Sequence, residues 1–144
     1  MTTAELAEAV KTAVNAESFS VAFTATRVAL PEFQLKDMAT LHVTVVPREI
    51  EIGLQARGRN RHTMGVDVAV QQRLATVDNA TVDALIALVE EVAGYMTRKN
   101  LTSGGETAYW SDTEINPLYD SGHLREMRQF TSVIRLTYWE DRAA

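Results

Sequence analysis

The chain has 144 residues, no cysteine, 46% hydrophobic and 23% charged residues, and a formal net charge of −5. This is the length and composition of one domain with its own core, which argues against wholesale disorder and excludes disulfides, thiolate metal sites and cysteine nucleophiles. The acidic balance argues against a nucleic-acid binder that uses its whole surface, though a local basic patch is compatible with it. No apolar run approaches the ~20 residues of a membrane span. The start Met1-Thr2-Thr3-Ala4-Glu5 has neither the basic residues nor the apolar stretch of a secretion signal. The expectation is a protein made in a cytoplasm and kept there until something carries it elsewhere.

The first element reads as a helix over residues 3–15. Thr2 and Glu5 have capping-box spacing, and Leu6, Val10, Ala13 and Val14 fall on one side. The period then changes to two. Phe19, Val21, Phe23 and Ala25 alternate with polar or small residues, which predicts a half-buried strand over residues 18–28. Leu30-Pro31-Glu32-Phe33 breaks it. A second strand is expected over residues 40–46, with Leu41, Val43 and Val45 on one face and Pro47 as a stop or an edge marker.

Residues 50–72 read as two more strands. Ile50, Ile52 and Leu54 alternate in the first, and Met64, Val66, Val68 and Val70 in the second. Between them Arg57-Gly58-Arg59-Asn60-Arg61 has the glycine and asparagine of a turn. Asp78 to Thr81 offers caps for a second helix over residues 81–97, whose stripe is Val82, Leu85, Ile86, Val89, Val92 and Met96. Thr102-Ser103-Gly104-Gly105 breaks the chain again. A strand is expected over residues 108–115, a loop over 116–122, and a final strand in which Phe130, Ser132, Ile134, Leu136 and Tyr138 alternate. The order predicts a single α+β domain over residues 1–144: a mostly antiparallel sheet with two helices packed on one face. Phe19, Phe23, Val43, Val66, Val68, Leu85, Val89, Ile134 and Leu136 are the expected core.

Catalytic chemistry has little to rest on. His42, His62 and His123 have no partner at ligand spacing and read as surface or edge histidines rather than ligands or proton carriers. The sequence holds no serine elbow, phosphate loop or dinucleotide fingerprint. Glu90 and Glu91 are adjacent and do not share a helix face. No catalytic, cofactor-binding or metal residue is therefore assigned.

The candidates are contact residues. Arg57, Arg59 and Arg61 alternate, with Arg48 upstream, so an extended hairpin tip would project them to one side. Such a tip suits an acidic partner or a neighbouring subunit, contacts phosphate, or does no more than solubilise a turn. The partner reading ranks above the nucleic-acid one because no stacking aromatics are interleaved. Tyr109, Trp110, Tyr119 and Trp139 are of the types that interfaces bury, and equally of the types that close a small core.

Taken together, the initial amphipathic helix, the Phe19 and Phe23 strand and the Leu41-His42-Val43-Thr44-Val45-Val46-Pro47 strand form one half of a pattern. Met64 to Val70, the helix with Val82-Asp83-Ala84-Leu85-Ile86 and the strand from Phe130 to Tyr138 complete it. This order and strand texture resemble the tail-terminator and tail-completion proteins of tailed phages over nearly the whole length, without an invariant motif. Residues 103–128 depart from it.

The resemblance implies a virion structural protein that is not an enzyme and needs no cofactor. It implies a ring of identical subunits, commonly six, at the head-proximal end of the tail tube, touching the tube protein and the head–tail connector. DNA would meet it only while passing through the ring, no membrane is involved, and assembly takes place in the host bacterial cytoplasm. Arg57, Arg59, Arg61, Tyr119 and Trp139 are the candidate interface residues. Two alternatives stay open: a head–tail connector or stopper, and a small enzyme or ligand-binding module on an α+β scaffold.

Overall fold

A computed structural model describes residues 1–29 and 39–144. The break expected at Leu30–Phe33 lies outside the described residues. The elements in chain order are α1 (Thr3–Asn15), β1 (Ala25–Arg27), β2 (His42–Ala56), β3 (Arg59–Arg73) and α2 (Asn79–Met96), followed by β4 (Leu101–Ser103), β5 (Glu106–Ile115), α3 (Ser121–Met127) and β6 (Gln129–Ala143). They form an α+β fold around a six-stranded sheet of order β1-β2-β3-β6-β5-β4, antiparallel throughout except for the β1–β2 pair.

Both long helices start where their side chains can cap them. Thr2 accepts from the Glu5 N–H at 3.1 Å while the Glu5 carboxylate accepts from the Thr2 N–H at 3.0 Å, which is the complete capping box. Asp78 does the same job for α2 through the Thr81 N–H at 2.8 Å. The buried stripe of α1 is Leu6, Ala7, Val10 and Val14; that of α2 runs from Val82 to Met96. Both stripes join one hydrophobic cluster with the inward residues of the sheet.

The sheet's inner face is built in rows. Val45 stands opposite Val68, which stands opposite Ile134; Pro47, Val66 and Leu136 form the next row; Ile50, Met64 and Tyr138 the one after. Val66, Val68, Ile134, Leu136 and Tyr138 are all buried, as are Val43, Leu85 and Val89.

Of the two register shifts in β2, at Arg48 and at Gln55, the first organises the strand. Its inward residues are odd-numbered up to Pro47 and even-numbered from Ile50 on, and an irregularity between Pro47 and Glu49 absorbs the extra residue, Arg48. The Arg48 side chain crosses Gly65, where a Cβ would meet its guanidinium, and its Nε donates to Asp67 at 2.8 Å. Pro47 does not end the strand. It lies just past Val45, the last residue that β1 pairs, where a missing N–H takes no bond from the ladder.

Several expectations are corrected. The strand over residues 18–28 shrinks to three residues, and Phe19 and Phe23 are partly buried rather than core. Side chains hold this segment in place of a ladder. Phe19 stacks on Phe23 at 5.6 Å and meets Tyr95 edge-on at 5.7 Å, while the Asn15 amide brackets the backbone of Ala25. The break at residues 102–105 is a hairpin turn: Gly104 and Gly105 take positive φ and link β4 to β5. The end of the expected loop over 116–122 is the start of α3, capped by Asp120 on the His123 N–H at 3.0 Å.

The central rows make a direct stability prediction. Leu136→Ala should cost about 2–5 kcal/mol, as large-to-small changes at buried leucines do. Denaturant unfolding should show a lower midpoint with an unchanged slope. A loss under about 1 kcal/mol would mean the site is not close-packed.

Candidate functional site

The arginine loop is shorter than its sequence suggests. Only Arg57 and Gly58 lie in the turn, with Gly58 at φ 77°, while Arg59 and Arg61 belong to β3. The expected loop over 57–61 is thus a two-residue hairpin connection, the shortest common link between antiparallel strands. Arg59 and Arg61 do project to one side, because they are two apart on a strand. That side is the sheet's outer face, opposite the core rows of Met64 and Val66.

Three of the five sequence candidates meet there. Arg61 donates from Nε and Nη2 to the two carboxylate oxygens of Asp141 at 2.9 and 3.1 Å, and Asp141 is its direct cross-strand partner. The same guanidinium lies 4.1 Å from the ring centre of Trp139. Trp139 in turn stacks on Tyr109 at 4.7 Å, again a direct cross-strand pair. Arg59 reaches the Asp141 carbonyl at 3.3 Å. The result is an array across β3, β6 and β5 that ends on the exposed Tyr109 ring, beside a cavity of about 750 Å³ lined by Arg59, Glu106, Tyr109, Trp139 and Asp141 among others.

The other two candidates stand apart. Arg57 is at the hairpin tip. Tyr119 precedes α3 and stacks on buried Phe130 at 6.2 Å, so it belongs to the other end of β6. Tyr109 is the member of the array that the sequence places only among the general aromatics. Its strand alternation held the signal, because the phase that buries Ala108 turns Tyr109 outward.

Electrostatics divide the two faces. On the outer face Asp141 is held below the usual carboxylate range, first by its hydrogen bonds to Arg61, which itself is raised. Behind it, on the inner face, burial lowers His62 and pushes the Tyr138 phenol up. Glu140 lies in that inner row, next to the Met1 ammonium and the Arg142 guanidinium.

The histidines are scattered. His42 opens β2, His62 is in β3, and His123 is in α3, where its Nδ1 is 3.2 Å from the Thr131 hydroxyl. Among the described residues no group of three or more His, Asp or Glu is placed to hold a metal ion.

Beyond the bulge, β2 is exposed, and its inner-face residues Ile50, Ile52 and Leu54 are 46%, 58% and 84% accessible. They extend the core rows past the point where Met1 and the start of α1 cover them. β1 pairs only Val43 to Val45, so the outer backbone edge of this apolar stretch has no strand neighbour among the described residues.

The fold and site thus define an α+β domain with a polar–aromatic array on one sheet face and an uncovered apolar strand on the other. Comparison of the sequence with protein-family models and with curated proteins finds no match.

The array has a pH signature. Asp141 contributes stability that is present above the carboxylate's unfolded value of about 3.9 and is lost as pH falls through its lowered folded value. Asp141→Asn should therefore melt below the wild type at pH 7. The gap should hold down to about pH 5 and close only at more acid pH. A gap that closes between pH 5 and 7 would show that another group controls the array.

Proposed function

We propose that this chain is a virion structural protein that assembles with copies of itself, and that it serves as a phage tail terminator. Its work is to close a ring, most simply of six copies, on the head-proximal end of the tail tube. There it stops tube growth and offers a surface to the head–tail connector, with DNA passing through the ring. The chain acts in the virion tail, without catalysis, cofactor or metal.

The observation that carries the self-assembly reading is the uncovered arm of β2. Three large apolar side chains in a row on a sheet edge are a liability in a lone domain and are what a strand-mediated contact needs. The tail position rests on the likeness of element order and strand texture. The buried stripes of α1 and α2 share one cluster with the inward residues of the sheet, and the face that carries Arg59 and Arg61 stays available. The Arg59, Arg61, Trp139 and Tyr109 array then suits one neighbour, and the segment around Tyr119 another. A ring needs heterologous contacts of this kind, in which two different patches meet.

The connector reading differs in its phenotype. Deleting the gene from the phage should leave overlong or headless tails in the lysate when imaged. Finished tails of normal length beside leaking heads would instead assign the chain to the neck, and fully infectious particles would remove both positions.

A further inference from the structure

We infer that the open edge of β2 pairs with the same edge of a second copy, antiparallel and about a two-fold axis at Ile52. The inference concerns the free chain and does not depend on a place in the tail.

The backbone supplies the first argument. The Val28 N–H donates to the Val45 carbonyl at 3.0 Å, so Val45 directs its peptide groups away from β3. Every second residue does the same. The bulge at Arg48 then shifts this phase along with the side chains, so that Ile50, Ile52 and Leu54 present their N–H and C=O groups to the open edge. These are the three residues whose side chains are apolar and exposed. An antiparallel mate centred on Ile52 pairs Ile52 with Ile52 and Ile50 with Leu54 in both directions. All three pairs are then of the kind that exchanges two hydrogen bonds.

Side-chain chemistry supplies the second argument, and it selects the mate. In this register the stripe of each copy lies against that of the other, giving one continuous apolar patch on the inner face. On the other face Glu51 stands opposite Gly53, so no carboxylate directly faces another, and the irregularity at Gln55 ends the regular stretch there. The Arg57 end of each hairpin comes to the Arg48–Glu49 end of the other, where Arg48 is already engaged by Asp67 and Glu49, so two carboxylates against one guanidinium meet Arg57 with an unlike net charge. Besides the three-residue strands β1 and β4 at the ends of the sheet, the long unpaired stretch among the described residues is the outer side of β5 beyond β4, and it carries Asp112 and Glu114. A β2-to-β5 contact would bring these acids toward Glu49 and Glu51, where like charges oppose pairing.

Symmetry supplies the third. A two-fold contact uses up both edges at once and stops at two copies, so it covers a sticky strand without seeding a filament.

The test uses the full chain. Sedimentation equilibrium should give a dimer for the wild type and a monomer for Ile52→Lys, which places two like charges on the axis. The variant should stay folded, with a native circular dichroism spectrum and a cooperative melt whose midpoint no longer depends on protein concentration, because Ile52 is exposed in the single chain. The absence of native cysteine allows a register test. Hydrogen-bonded antiparallel partners have Cα atoms about 5.5 Å apart, within the span of a disulfide. Under oxidation Ile52→Cys should give a covalent dimer and Ile50→Cys should not, since the two copies of position 50 are separated along the pair by the whole stretch between positions 50 and 54. The double variant Ile50→Cys, Leu54→Cys should cross-link. A wild type that stays monomeric up to its solubility limit would overturn the inference. So would an oligomer that survives Ile52→Lys, or a covalent dimer of the single variant Ile50→Cys. The inference shares with the proposed function only the reading of the β2 arm as a contact between copies; the ring's heterologous contacts fall to the outer-face array and the Tyr119 segment, so these results decide the edge contact and the deletion phenotype decides the tail position.

Discussion

The pairing of β3 on both sides over nearly its whole length is the constraint on which the rest of the structure depends. All 15 of its residues find partners on β6, and all but two find one on β2. A strand held in this way cannot slip, because a one-residue shift would carry Met64, Val66, Val68 and Val70 to the opposite face. Its two faces are therefore fixed, and each neighbouring strand must present the matching phase. β6 does so without interruption. β2 cannot, since its apolar residues change parity at Arg48, and the bulge there reconciles sequence with sheet. Gly65 leaves space for the displaced arginine, and Asp67 holds it. Burial lifts the Asp67 carboxyl above its ordinary range even with Arg48 beside it, so part of the cost of the bulge is a half-buried acid.

Length then separates covered sheet from uncovered sheet. A 15-residue strand spans about 50 Å, whereas α1 with 13 residues spans about 20 Å. No single helix of that size covers the inner face from end to end. The helices' buried stripes share one cluster with the rows from Val43 to Met64, and Met1 closes the next space against Glu140 and Arg142. Past this point the rows continue with Ile52 and Leu54 but the cover does not. Full burial of such a side chain is worth roughly 1.5–3 kcal/mol, so three of them on an open edge are a substantial reserve for association.

Much of this fold could be read from periodicity. Both long helices, β3 and the final strand follow the apolar spacing closely, whereas β2 joins into one strand the two that the sequence divides at Pro47. Short elements escaped. β4 has three residues and is defined by a glycine turn and its partner; α3 has seven and buries no side chain completely. The Phe19 segment misled for a specific reason: alternation records which side is apolar, not whether a ladder exists. Here Tyr95 and Asn15 provide contacts that a neighbouring strand would otherwise give. In the candidate site, the common side of Arg59 and Arg61 was legible, since two residues apart on an extended chain means one face. Their partners were not, because Asp141, Trp139 and Tyr109 are brought in by a register between β3, β6 and β5 that no local pattern encodes. The phase change at Arg48 lay open in the sequence as odd apolar positions giving way to even ones.

The array and the arm differ in what they contribute. Arg61 and Asp141 are exposed enough for water and salt to screen their attraction, so the pair adds little to folding. Its value is geometric. A guanidinium fixed by a two-pronged carboxylate and laid on an indole cannot swing away, and Tyr109 beyond it is locked by stacking. A neighbour meeting this face meets a rigid surface and loses little side-chain entropy on contact. On the proposed pairing the arm is the reverse case: its energy is apolar burial and strand pairing, and its geometry is set by the mate. Rigid polar contacts give register and discrimination, and apolar edges give strength. A subunit that must meet more than one kind of neighbour needs both, on surfaces that need not be engaged together. On the proposed reading the two are kept apart because Arg61 and Ile52, close together on adjacent strands, turn to opposite faces of one sheet.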